Sequence, residues 1–223
     1  MKNSLLIFFF FFFMLNITAQ VKFPSKKDFT HGISVGVSRV NYLFKLGFGF
    51  GEETRSIFSQ INATSQFDWG IGYNLEYRIN RNFSVRSMLD FSSHKTILTL
   101  KEFSGAKRQY EFGSFDVGLP LHLMYRMGPK KLHPIVFMGF RTMLINEIGK
   151  DNGYVNLSNF EAGFEAGLGF EINAAKFRIR QEVGLYSGVT YWLNDDYFYA
   201  RRILHHVNRD FISFRLVLMQ NKG

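Results

Sequence analysis

Between positions 161 and 182 the chain carries Glu161, Glu165, Glu171, Arg178, Arg180 and Glu182. Carboxylates and guanidinium groups at this density have three chemical uses. Paired carboxylates perform general acid and base catalysis. A file of ionisable groups passes ions or protons. Opposite charges held away from water form a hydrogen-bonded plug, because an unpaired buried charge is costly. The same residue types recur upstream as Asp68, Glu76, Arg78, Arg86, Asp90, Asp116 and Arg126. Arginines stand beside the carboxylates throughout, which favours the plug over an acid catalyst.

The remaining reactive side chains offer little. The six histidines are His31, His94, His122, His133, His205 and His206, and none sits in an H-E-x-x-H spacing. His205 and His206 point to opposite faces of an extended chain and chelate poorly. There is no cysteine, so no thiolate metal site, disulfide framework or lipoprotein anchor. Asp195, Asp196, His205 and His206 form one cluster near the end, without a matched nucleophile. The expectation is a non-enzymatic protein with no cofactor and no small-molecule substrate. Gly70, Gly72, Gly163, Gly167 and Gly169 recur at even spacings inside strand-like segments. That spacing is wrong for a phosphate loop and right for making room beside large neighbours.

These residues must be positioned by strands. From Phe67 to Arg78 the sequence reads F-D-W-G-I-G-Y-N-L-E-Y-R. Odd positions are large and apolar, and even ones are polar or glycine. Successive strand residues point to opposite faces, so one face is apolar and the other wet. The segment is twelve residues long, where soluble strands run about five or six and a tilted membrane strand needs about nine to eleven. Such a strand has an apolar lipid face and a polar lumen face.

Similar alternation predicts eight strands. They run from His31 to Lys45, Phe67 to Arg78, Phe83 to about Ser92, Phe115 to Arg126, Pro134 to Leu144, Asn159 to Ile172, Phe177 to about Tyr186, and Asp210 to Met219. In the fifth both faces are apolar, and placing Val136, Met138 and Phe140 outward sends Arg141 inward. Connections after the even strands are short, and those after the odd ones are long. Short turns at one rim and long loops at the other characterise outer-membrane barrels, with the short turns periplasmic. Closure removes the strand edges that lipid could not satisfy. The expected fold is therefore all-β, an eight-stranded antiparallel transmembrane β-barrel. An eight-stranded interior is just wide enough for side chains to fill. The predicted lumen charge network is Glu76, Arg78, Arg86, Asp90, Arg126, Glu161, Glu165, Glu171, Arg178, Arg180 and Glu182.

The first residues, M-K-N-S-L-L-I-F-F-F-F-F-F-F-M-L-N-I-T-A-Q, read as a cleaved signal peptide over 1–19. The apolar run is too short for a spanning helix. A tail at 20–30, a barrel at 31–219 and a short end at 220–223 complete the expected organisation. Mean hydropathy is only -0.06, as expected when half of every strand is polar. The formal charge is +9, and 17% of residues are aromatic. In an exported chain this points to positive charge facing anionic lipid or lining the lumen, and not to nucleic acid. Partners expected from composition are outer-membrane lipids. The last long loop, Tyr191 to Arg202, combines aromatics with arginine, so Trp192, Tyr197, Arg201 and Arg202 are candidates for a membrane-surface girdle or for partner docking.

Three blocks carry a resemblance to a known family. They are H-G-I-S-V-G-V-S-R-V-N-Y at His31 to Tyr42, F-D-V-G-L-P-L-H-L-M-Y-R at Phe115 to Arg126, and F-E-A-G-F-E-A-G-L-G-F-E-I at Phe160 to Ile172. The strand Phe177 to Val189 and the ending S-F-R-L-V-L also fit. In these blocks the chain resembles the PorT family of Bacteroidota outer-membrane barrels. The resemblance implies an accessory role in type IX protein secretion, other secretion components as partners, and no catalytic motif. A small structural or adhesion barrel is the alternative function.

Overall fold

The computed structural model describes residues 29–46, 58–65, 67–102, 104–128, 132–148, 160–174, 176–189 and 204–220. These form nine strands: β1 (Phe29–Leu46), β2 (Phe58–Ser65), β3 (Phe67–Arg78), β4 (Phe83–Glu102), β5 (Lys107–Arg126), β6 (Leu132–Ile148), β7 (Phe160–Asn173), β8 (Phe177–Gly188) and β9 (Leu204–Gln220). All pairings are antiparallel, in the ring β4-β3-β1-β9-β8-β7-β6-β5 that closes through β4–β5. β2 extends the line of β3 along β4, with Ser65 opposite Thr96 where Trp69 is opposite Ser93. The result is a closed eight-stranded barrel, so no strand edge needs satisfying by lipid.

The outside of the barrel is apolar because the alternation demands it. Trp69 is 60% exposed, Met138 63% and Phe164 62%, and Val136 and Phe140 share the outward face of β6. Exposed apolar positions on β3 run from Phe67 to Leu75. Nine residues at about 3.3 Å each, tilted by about 40°, rise about 23 Å, close to the height of a membrane-facing band. At the short-turn rim the band ends in aromatic pairs, Phe29 with Tyr77 at 5.1 Å and Phe83 with Tyr125 at 4.9 Å. Phe91 stacks on Phe115 at 6.1 Å towards the other end. Beyond that pair the exposed positions of β4 and β5 become Lys95, Lys101, Lys107, Gln109 and Glu111. The change of polarity marks where the apolar surroundings stop.

Two expectations about extent are corrected. The long loop expected between Ser92 and Phe115 is instead a continued ladder, paired as far as Lys101 opposite Lys107. Gly105 adopts φ +86° in the tight connection, a conformation that glycine accepts without strain. A twenty-residue strand spans about 66 Å and rises about 50 Å when tilted, roughly twice the apolar band. Likewise β9 begins at Leu204, not Asp210, and pairs with β1 along its upper length.

The short-turn rim is fixed by side-chain and backbone bonds. The Asn80 Oδ1 accepts from the backbone N–H of Asn82 at 2.9 Å and of Phe83 at 2.8 Å. Asn82 Nδ2 donates to the Arg126 carbonyl at 2.9 Å, tying adjacent turns together. The β7–β8 turn is wider than a two-residue hairpin, which would pair Asn173 with Lys176. Asn173 lies opposite Arg178, and the Ala174 N–H donates to the Phe177 carbonyl at 2.8 Å. Glu171 is therefore opposite Arg180, and Gly169 is opposite Glu182.

Candidate functional site

Inside the ring, inward positions of all eight staves converge on a charged plug. Seven arginines and eight carboxylates are buried there among the described residues. No described lysine is buried. Arginine suits such a place, because its planar fork holds two oxygens at once and is more weakly hydrated than an ammonium.

The plug has three tiers. At the short-turn mouth Arg126, Arg178 and Arg180 surround Glu76 and Glu171. Arg180 Nη2 donates to Glu76 Oε2 at 2.7 Å and its Nε to Glu171 Oε2 at 3.0 Å. Arg126 Nε donates to Glu171 Oε1 at 3.0 Å, and its Nη2 also meets Glu76. Arg178 Nη1 stands 3.3 Å from Glu76 and 3.5 Å from Glu171, and its Nη2 donates to Thr30 Oγ1 at 2.6 Å.

In the middle tier Arg86 pairs with Glu182, and Arg215 pairs with Glu165. Arg141 pairs with Asp90 and donates to Glu165 Oε2 at 3.1 Å. His122 bridges Arg86 Nη2, at 2.9 Å from its Nδ1, to Glu165 Oε2, at 3.2 Å from its Nε2. The Phe137 ring fills the centre, with the Arg86 and Arg215 guanidinium carbons 5.1 and 5.7 Å from its centroid. Gly167 makes that possible, since a Cβ there would lie 2.4 Å from the ring.

The outer tier gathers Asp68, Asp116 and Glu161 around Arg209 and His94. Arg209 Nη1 donates to Asp116 Oδ2 at 2.6 Å, and its Nε lies 2.9 Å from Glu161 Oε2. The Tyr186 hydroxyl donates to Glu161 at 2.9 Å and its ring stacks on Phe211 at 4.5 Å. Methionines fill the remaining gaps, and their sulfurs approach guanidinium nitrogens: Met143 to Arg209 at 3.2 Å and Met124 to Arg180 at 3.5 Å.

Of the sequence-predicted network, the plug contains Glu76, Arg86, Asp90, Arg126, Glu161, Glu165, Glu171, Arg178, Arg180 and Glu182. Arg78 is a correction. It has the inward phase but is the last residue of β3, and its side chain is exposed at the mouth. The plug also recruits Arg141, Arg209, Arg215, His94 and His122, together with Asp68 and Asp116. Strand phase already sends Arg141, Arg215, Asp68 and Asp116 inward. Arg209 is missed because the last strand starts earlier than the alternation shows. Trp192, Tyr197, Arg201 and Arg202 lie outside the described residues.

Chemically the arrangement holds charge and leaves little space. Ser92 Oγ is 3.0 Å from His94 Nε2, and His94 Nδ1 is 2.9 Å from Asp68 Oδ2. This has the outline of a nucleophile, base and orienting acid. Yet Asp116 Oδ2 stands 3.2 Å from the same Nε2, so the nitrogen that would take the serine proton is aimed at a carboxylate. The adjoining cavity between Ser34, Ser92, Ser213 and Arg141 is small, about 30 Å³, room for about one or two waters. Among the described residues no group of three histidine or acidic side chains is placed to hold a metal ion. The basic excess does not line this lumen. Of the chain's 27 Lys and Arg and 18 Asp and Glu, the described plug takes seven and eight.

Comparison with known proteins fits this architecture. Residues 18–195 match a family model described as an outer membrane protein beta-barrel domain. Among solved structures, the outer membrane protein OprG from Pseudomonas aeruginosa superposes with a TM-score of 0.58 at 12% identity, over 88% of this chain and 96% of that one. Neisserial surface protein A gives a TM-score of 0.47 at 11% identity, over 85% and 96%. At such identities the likeness to OprG shows the fold alone. No curated protein matches the chain.

Proposed function

Since the chain belongs to the outer membrane protein beta-barrel domain family, we propose that it is a sealed, non-enzymatic structural or adhesion barrel whose working surface is the long-loop rim. The observation that supports this most is the plug. Three tiers of paired charge fill the lumen from Glu76 to Asp116, so the interior is a core and not a conduit. The long-loop rim offers what the lumen does not. β4 and β5 project well past the apolar band and expose lysine, glutamine and glutamate outward. With short turns on the periplasmic side, this projection faces the outside of the cell. The test is deletion of the protein and of the hairpin tip alone, residues 97–111. Loss of binding to an external surface in both strains, with normal secretion, supports the reading. Normal surface binding after full deletion refutes it.

A second reading is an accessory role in type IX secretion. The PorT-like blocks at His31 to Tyr42, Phe115 to Arg126 and Phe160 to Ile172 favour it. Under this reading the segment carrying Trp192, Tyr197, Arg201 and Arg202 docks on other secretion components. The same deletion strain distinguishes the two, because this reading requires cargo to disappear from the medium.

A further inference from the structure

The β3–β4 ladder stops at Trp69 opposite Ser93, and β2 takes over at Ser65 opposite Thr96. Between these rungs β4 passes from one neighbour to the next, at the base of the projecting hairpin. A side chain covers the break. Asp68 Oδ1 accepts the backbone N–H of Lys95 at 3.0 Å, and its Oδ2 lies 2.9 Å from His94 Nδ1. The other ring nitrogen of His94, Nε2, stands 3.2 Å from Asp116 Oδ2 on β5 and 3.0 Å from Ser92 Oγ. His94, itself buried, thus joins β3, β4 and β5 at one point.

A neutral imidazole carries one N–H and an imidazolium carries two. A carboxylate at each ring nitrogen calls for both. We propose that His94 is a pH-sensitive latch, closed when its protonated ring ties the hairpin base to β3 and β5, and open once that proton is lost. The surrounding charges set the direction. Asp68 of β3 and Asp116 of β5 face the ring. Arg209 of β9 pairs with Asp116 and Glu161 of β7, and the Tyr186 hydroxyl of β8 donates to Glu161. Asp90 of β4, Arg141 of β6 and Arg215 of β9 border the cavity on the other side of the ring, and both arginines are paired with Asp90 or Glu165. β1 lines the same cavity without a charged residue. With the proton in place, Arg209 and His94 meet three carboxylates. Without it Arg209 meets all three alone. Ser92 can then turn its O–H onto the bare Nε2, which leaves Asp116 facing a lone pair. Water in the cavity is the proton's acceptor. The latch governs how the hairpin is held, whatever the hairpin binds.

The test uses the full barrel in maltoside detergent. Amide hydrogen exchange, corrected for its intrinsic pH dependence, is followed by mass spectrometry at about pH 6 and about pH 9. Residues 93–96 and 113–116 should lose protection about tenfold or more at the higher pH, while β8 keeps its own. Nitrogen NMR of histidine-labelled protein at about pH 6 should show both ring nitrogens of His94 protonated, the signal being assigned by its loss in His94→Gln. Gel mobility of unheated samples checks folding at each pH. His94→Gln offers one neutral N–H donor group at every pH, so its hairpin base should sit at the released level with no step. Native hairpin protection that ignores pH overturns the proposal whether or not the variant folds. So does a step that survives in His94→Gln, an equal loss in β8, or a His94 ring with a single protonated nitrogen at the lower pH.

Discussion

Replacing Glu76 with glutamine removes the carboxylate that three arginines share. Arg180 keeps Glu171 and Glu182, and Arg126 keeps Glu171, but all three guanidinium groups then compete for the one carboxylate left in their tier. Glu76 is fully buried, so water cannot substitute for the lost charge. Removing one partner of a buried ion pair costs about 3–5 kcal/mol. At about 1.4 kcal/mol per factor of ten, the folded-to-unfolded ratio should fall between about a hundredfold and a few thousandfold. Urea unfolding in lipid vesicles, followed by tryptophan fluorescence and by gel mobility of unheated samples, measures this. Adding Arg178→Met to Glu76→Gln returns the tier to its original excess of one cation. The double variant should recover part of the loss, with a coupling of about 1–3 kcal/mol. A cost under about 1 kcal/mol for Glu76→Gln, or strict additivity in the pair, would refute the view that paired charge holds the lumen together.

Four other outcomes follow from the same geometry. Glu111→Gln breaks the exposed Lys95 pair at 3.1 Å and should cost under about 1 kcal/mol in the same urea assay. Gly167→Ala forces a Cβ against the Phe137 ring and the Val183 carbonyl, and should cost about 1–3 kcal/mol through overpacking. Leu121→Arg, on the lipid face near mid-band, should cost about 2–4 kcal/mol, which vesicle refolding yields can check. In planar bilayers the native barrel should be silent, whereas Arg86→Ser with Glu182→Ser, at the centre of the plug, should give ohmic conductance; a conducting native protein contradicts the sealed lumen.

The face of each side chain was readable from the sequence, because a strand alternates and one face meets lipid. Trp69 and Phe164 could only be outside if Glu76 and Glu165 were inside. Register was less readable. Moving the β7–β8 pairing by two residues keeps every side chain on its own face, so alternation alone cannot separate Glu171 opposite Arg178 from Glu171 opposite Arg180. Strand ends were hidden for a related reason. Past Phe91 the outward residues turn polar while pairing continues, so the amphipathic signal of a membrane strand fades before the ladder does. Arg209 was lost with the early part of β9, and Arg78 was overcounted because phase says nothing about where a lumen ends. Pairing between distant strands, such as Arg86 with Glu182 or Arg209 with Asp116, depends on ring closure and shear, which no local pattern encodes.

The seam of the ring joins β1 to β9, with Gly32 opposite Met219 and Val40 opposite Phe211. Closure thus has to wait until β9, made after the other eight strands, is synthesised. Arg209 and Arg215 arrive on that segment, while Asp116 and Glu165, their partners, are made about fifty to ninety residues earlier. Until β9 docks, those carboxylates need water, and an open sheet carrying them cannot enter hydrocarbon without heavy cost. Docking of the final strand and drying of the interior are therefore one event. Assembly should behave as a single late, all-or-none step, and a chain halted before residue 204 should be left as a water-bound client of the export machinery with no partial foothold in the bilayer.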